Sequence, residues 1–232
     1  CDILLMSATP IPRTLILAIY SDMDVSKLTE KPLNNKSTST LSKPEEKIDE
    51  IITFVKKQIE NGNQTFWVCP LIEESKKINY TAVVKKYNQL SKIFPGKVGI
   101  IHGNLTKEEK DKVLDNFLNK NIHILISTTV IEVGIDFPDA NLIIIEDSNK
   151  FGLSQLHQLR GRVGRGNKDS TCILMFKSNL SDNAKKRIKI LKNTNDGFLI
   201  SEEDMKLRGF GDILGFKQSG IKNFRLADPV HN

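Results

Sequence analysis

The chain has 232 residues, 39% of them hydrophobic and only 6% aromatic, and a formal net charge of +6. That profile suits a globular protein of one large domain, or one domain with a fragment attached, and a basic balance is compatible with nucleic acid. The longest apolar runs are strand-sized, which argues against a membrane-spanning helix, and Cys1, Cys69 and Cys172 lack metal-ligand spacing, which points to a reducing, cytosolic setting.

No signal peptide precedes Cys1, and the chain opens inside a strand-like run without an initiator methionine, as expected of a piece of a longer protein. Ile3 to Met6 reads as a strand, and Pro12 sits near the start of a helix reaching about Tyr20. The polar stretch from Lys31 to Ser42 reads as a linker. Pro44 and Glu45 then open an amphipathic helix with Ile48, Ile51, Ile52, Val55 and Ile59 at helical spacing, ended by Gly62. From there strands and helices alternate. The expected strands are Thr65 to Val68, Val98 to Ile101, Ile122 to Ile126, Leu142 to Ile145 and Thr171 to Phe176. The expected helices are Ala82 to Leu90, Lys107 to Leu118, Ser154 to Leu159, Asp182 to Lys192 and Glu202 to Leu207, before a glycine-rich tail. Continuously apolar strands alternating with helices predict an α/β fold: a parallel sheet with helices on both faces, followed by a helical hairpin and loop. Ligands of such sheets sit beyond the carboxyl ends of the strands, which points to His102-Gly103, Ser127-Thr128-Thr129 and Glu146-Asp147.

Two segments carry candidate chemistry. In ISTTVIEVGIDFPDA, Thr128 and Thr129 can donate to phosphate oxygens, Gly134 permits close backbone approach, and Asp136 can accept from a ribose hydroxyl. The plainer reading of that segment is a strand followed by a turn. QLHQLRGRVGRG places Arg160, Arg162 and Arg165 among glycines. A solvated helix end is the ordinary explanation of such residues. However, Arg162 and Arg165 are three apart, share a face if helical, and suit a nucleotide phosphate offered across an interface. No G-x-x-x-x-G-K-[ST] occurs and no acidic Mg²⁺ motif is recognisable, so these residues should not hydrolyse ATP alone. No metal site is expected.

The runs LMSATPIPRTL, TTVIEVGID and QLHQLRGRVGRG resemble, in that order, motifs III, V and VI of superfamily 2 helicases. WVCPLIEES is similar to the corresponding strand of the RecG branch, and LRGFGDILGFKQSG resembles a motif shared by RecG and the transcription-repair coupling factor. Leu71 to Ser75 and Asn195 to Phe198 favour the RecG branch over the coupling factor. The resemblance implies the end of a first RecA-like domain at 1–30, a linker at 31–44, a second RecA-like domain at 45–178 and a helical hairpin with glycine-rich loop at 179–232. It implies an ATP- and Mg²⁺-dependent translocase acting on branched double-stranded DNA, monomeric, cytoplasmic and nucleoid-associated. It assigns Arg162 and Arg165 to catalysis, and Gly134, Asp136 and Gln158 to nucleotide. Gly103, Thr128 and Thr129 fall to DNA, and Ser7, Thr9, Arg208 and Gln218 to coupling. A non-catalytic DNA-binding module is the alternative from another class, since a basic surface alone serves that role; an RNA helicase shares two of the motifs but not the tail.

Overall fold

The computed structural model describes residues 26, 28, 37–70, 76–128 and 137–208. Six strands form one sheet: β1 (Thr38–Pro44), β2 (Gln64–Val68), β3 (Val98–Ile101), β4 (Ile124–Ser127), β5 (Ala140–Ile145) and β6 (Ser170–Phe176). Their order is β1-β6-β5-β2-β4-β3 and every pairing is parallel. Parallel neighbours need long crossovers. Six helices are described: α1 (Ile48–Glu60), α2 (Lys76–Ile93), α3 (Lys107–Leu118), α4 (Leu153–Arg160), α5 (Asp182–Asn193) and α6 (Gly197–Arg208).

Alternation along each strand splits the core into two layers. On one face Phe66, Val68, Leu125, Ile143 and Ile145 meet Leu114, Leu153 and Leu156. There Phe66, Phe117 and Phe137 make a three-ring cluster with centroids 5.3–5.6 Å apart. On the other face Trp67, Ile124, Ile126, Leu142 and Ile144 meet Ile51, Val55, Val83 and Leu90. Both faces are covered, so the strands read as unbroken apolar runs.

The sequence reading of 31–44 as a linker is corrected from Thr38 onward. Thr38 to Pro44 pairs with Ser170 to Phe176 in register, and Ser170 Oγ donates to Thr38 Oγ1 at 2.9 Å. In the described sheet this is an edge strand, only half buried, so it needs no apolar run and its Ser/Thr composition imitates a linker. Helix α2 is twice the expected length. Helix α6 begins at Gly197 rather than near Glu202, because Asp196 Oδ1 accepts from Phe198 N at 2.8 Å and so caps a start that glycine disguises.

The C-terminal hairpin of α5 and α6 packs on α4, and its principal tie is Arg160. Only 3% exposed, this residue extends the leucine stripe Leu153-Leu156 of α4 at i+7. Its Nη1 donates to Leu191 O at 2.7 Å, Thr194 O at 3.0 Å and Thr40 Oγ1 at 3.3 Å, while Nη2 donates to His157 Nδ1 at 3.2 Å. Leu191 O is one of the last α5 carbonyls, which have no partner within their own helix. Burial lowers the Arg160 pKa, yet from so high a starting value that the charge is kept. At the other end of α4, Ser154 Oγ donates to the buried Asp204 carboxylate of α6 at 2.6 Å.

Replacing Arg160 by Ala should therefore strand these carbonyls and lower the unfolding free energy by about 3 kcal/mol. Lysine should rescue little, because one ammonium cannot serve acceptors on β1, α4 and α5 together. Urea unfolding of the variants measures this directly; a change below about 1 kcal/mol for Arg160→Ala would contradict it.

Candidate nucleotide and nucleic-acid site

Helix α4 ends at Arg160, so Arg162 and Arg165 do not share a helical face as their spacing suggested. A turn brings them together instead: Arg162 N donates to Leu159 O at 3.0 Å and Arg165 Nε to Gly161 O at 3.2 Å. Two glycines make this path possible. Gly164 has φ +78°, and a Cβ there would fall 2.5 Å from Ser170 Oγ; one on Gly166 would fall 2.5 Å from Pro138 O. Lys168 closes the loop by donating to Asn63 Oδ1 at 3.0 Å, with Asp139 at 4.0 Å. Val163, buried between the two arginines, pins the middle.

The three arginines thus divide by environment. Arg160 is spent on internal carbonyls. Arg165 is exposed, and Arg162 is half-buried, its side chain making no hydrogen bond or ion pair among the described residues. Burial first, and then the neighbouring Arg165 charge, push the Arg162 pKa below its usual value. Two like charges held close on a fixed loop form a place that an anion would relieve. Gln158 is exposed on α4, one turn before Arg162.

The loop from Gly161 to Asp169 lies at the amino end of the sheet, beside the starts of β2, β5 and β6, through its contacts with Asn63, Pro138 and Asp139. Gly103 and Thr128 lie at the opposite end. Ile101 pairs with Ser127, so Gly103 and Thr128 leave neighbouring strands at the same carboxyl edge. Gly103 is exposed, and nothing lies within 4 Å of where its Cβ would be. Beside it His102 Nδ1 accepts from Asn104 N at 3.3 Å, and burial lowers the His102 pKa. The structure therefore brings Gly103 to Thr128 and sets Arg162 beside Arg165, but keeps the two groups apart by the height of the sheet, about 20 Å for a six- or seven-residue strand.

The carboxyl-end rule and the structure differ in emphasis at two places. The rule does not reach the arginine loop, which sits at the amino end. It also selects Glu146-Asp147, whose carboxylates serve internal partners. Glu146 accepts from Trp67 Nε1 at 2.9 Å and pairs with Lys86 at 2.6 Å, while Asp147, left-handed at φ 45°, pairs with Lys150 at 2.8 Å and Lys177 at 3.6 Å. Ser7, Thr9, Thr129, Gly134, Asp136 and Gln218 lie outside the described residues, as does the side chain of Arg208, whose backbone ends α6. Among the described residues no group of His, Cys, Asp or Glu could hold a metal ion, and no helix is long and apolar enough to cross a membrane. Sequence reasoning missed the anchoring role of Arg160, although its place on the α4 leucine stripe was a readable signal.

Residues 45–167 match the helicase conserved C-terminal domain family, and residues 194–229 match the C-terminal part of domain 3 of ATP-dependent DNA helicase RecG. The RecG helicase of Bacillus subtilis is 48% identical over 100% of this chain and 34% of its own length. That of Thermotoga maritima is 47% identical over 98% of this chain and 29% of its own. A solved structure of RecG bound to a three-way DNA junction aligns with a TM-score of 0.77 and 43% identity, over 97% of this chain and 29% of that one. The chain spans about a third of the length of these relatives. With residues 45–167, more than half of its length, matched by that model, the chain belongs to the helicase conserved C-terminal domain family.

Proposed function

We propose that this chain is the C-terminal motor portion of an ATP-dependent translocase that remodels branched double-stranded DNA, such as stalled forks and Holliday junctions. The observation that carries the reading is Arg162, half-buried beside a second guanidinium on a loop locked by Gly164, Gly166 and Lys168. A surface that only binds DNA needs charge, whereas this loop fixes the direction of that charge. The pair fits a triphosphate, because a partly desolvated cation with a like-charged neighbour is stabilised by an approaching anion. ATP with Mg²⁺, held mainly by a preceding motor domain, supplies phosphoryl transfer to water as the driving reaction. Arg162 and Arg165 then offer fixed donors to charge developing on the phosphate oxygens. Gln158, Gly134 and Asp136 belong to the nucleotide side, Asp136 as an acceptor for a ribose hydroxyl.

Gly103, Thr128 and Thr129 form the DNA side, with Gly103 leaving room for a phosphate against the backbone and the threonines donating hydroxyls to the strand. Ser7, Thr9, Arg208 and Gln218 belong to the coupling between the two sides. The match at 194–229 supports the RecG reading over the coupling-factor one. The working form is a monomer in the bacterial cytoplasm, associated with the nucleoid.

In the intact protein, Arg162→Ala or Arg165→Ala should cut DNA-stimulated ATP turnover by roughly 10³-fold, the scale of an arginine finger. DNA affinity should barely change, because Gly103 and Thr128 lie at the far end of the sheet. Lysine should restore little, since it offers a point charge where a fork is needed. ATPase rates within a few-fold of wild type for both alanine variants would sink this assignment.

Arg208→Ala or Gln218→Ala should instead separate the two activities. ATPase should stay within about tenfold of wild type, roughly 1.4 kcal/mol of barrier, while junction unwinding falls much further. Equal losses in both assays, or a loss in neither, would show that these residues do not couple them.

A further inference from the structure

Helix α5 has five cationic residues and one carboxylate among its twelve, in the sequence DNAKKRIKILKN. Its buried stripe is Ala184, Ile188 and Leu191. Lys185, Lys189 and Lys192 each follow a member of that stripe by one residue, so they form a parallel row turned by about 100° toward solvent. Lys186 lies on the outer flank of the row. All four are exposed. Arg187 points the other way, donating to Phe151 O at 2.7 Å. Lys185 pairs with Asp182 at 3.3 Å, but among the described residues Lys186, Lys189 and Lys192 have no ion pair.

The fold does not need this arrangement. Like charges three and four apart on a helix repel. The helix dipole favours cations near the C-terminus, which accounts for Lys192 but not for Lys185 and Lys186 near the start. From Lys185 to Lys192 the rise is about 10 Å, at 1.5 Å per residue. One DNA strand places a phosphate about every 3.4 Å along the duplex axis, so the row faces about three consecutive phosphates. The Arg160 anchor holds the end of α5 against α4, so a load on the row bears on the helix that leads into the Arg162 loop.

We propose that the solvent face of α5, through Lys185, Lys186, Lys189 and Lys192, is a contact surface for the phosphate backbone of a duplex DNA arm. This rests on the reading of the protein as a branched-DNA motor. It adds a surface separate from Gly103 and Thr128 and independent of base sequence.

The test uses the full-length protein with Lys186, Lys189 and Lys192 all replaced by Ala. Exposed Lys→Ala changes favour a helix, so folding should survive, as circular dichroism would verify. Binding to a synthetic three-way junction is measured across a range of salt concentrations. The slope of log affinity against log salt should become shallower by about 2.7, since each phosphate contact contributes about 0.9. Affinity at low salt should fall more than tenfold, and ATPase without DNA should not change. The triple Lys→Arg variant should keep the wild-type slope. If the folded alanine variant matches wild type in slope and affinity, the inference is overturned while the motor reading stands. If the wild-type protein itself shows no salt-dependent junction binding, both fall together.

Discussion

One buried guanidinium organises the C-terminal half of the described structure. Arg160 reaches a helix end, an edge strand and its own helix from a single position, and it satisfies the buried Leu191 carbonyl at the end of α5. Its charge suits the negative end of the α5 dipole, which adds to the hydrogen bonds. The planar fork lets one side chain act on several elements, as a lysine could not. With Asp204 receiving Ser154 at the opposite end, α4 is gripped at both termini by the hairpin that follows it in sequence. The loop carrying Arg162 and Arg165 grows directly from the gripped end.

That grip bears on the separation of the arginine loop from Gly103 and Thr128. The sheet is a stiff slab with apolar side chains packed on both faces. Gly103 and Thr128 stand at its carboxyl edge, and the arginine loop stands at its amino edge. Any coupling between them must pass through whole elements rather than through direct contact. The helices lying over the sheet on that side are α3 and α4, the latter with the hairpin strapped to it. Small shifts of a packed helix are a physically reasonable means of transmission, since close-packed interfaces move between discrete arrangements rather than deforming smoothly.

The internal use of Glu146 and Asp147 shows how a topological rule is limited by side-chain chemistry. A position beyond the end of a central strand offers access to ligands in general, yet here each carboxylate already faces lysine partners. By contrast, Arg162 keeps a charge that no described carboxylate neutralises. What singles out a site is the unmet interaction, more than the position in the sheet.

Much of this protein was legible in its sequence. The alternation of apolar strands with amphipathic helices determined a parallel sheet covered on both faces, because burying both sides of a strand requires a run such as Leu142 to Ile145. The arginine-glycine spacing marked the candidate nucleotide loop, and the ordered motifs marked the helicase family. Edge strand β1 was not legible: a strand hydrogen-bonded on one side needs little hydrophobicity, so TSTLSKP looks like a linker until Ser170 to Phe176 lies beside it. Spacing divides the arginines only in part, since Arg160 alone continues the leucine stripe of α4. Arg160, Arg162 and Arg165 have the same chemistry within six residues, and only tertiary structure decided that the first turns inward to the α5 carbonyls while the others stay outside. Local sequence sets which conformations are cheap, but which charge is satisfied depends on groups 31 and 120 residues away along the chain.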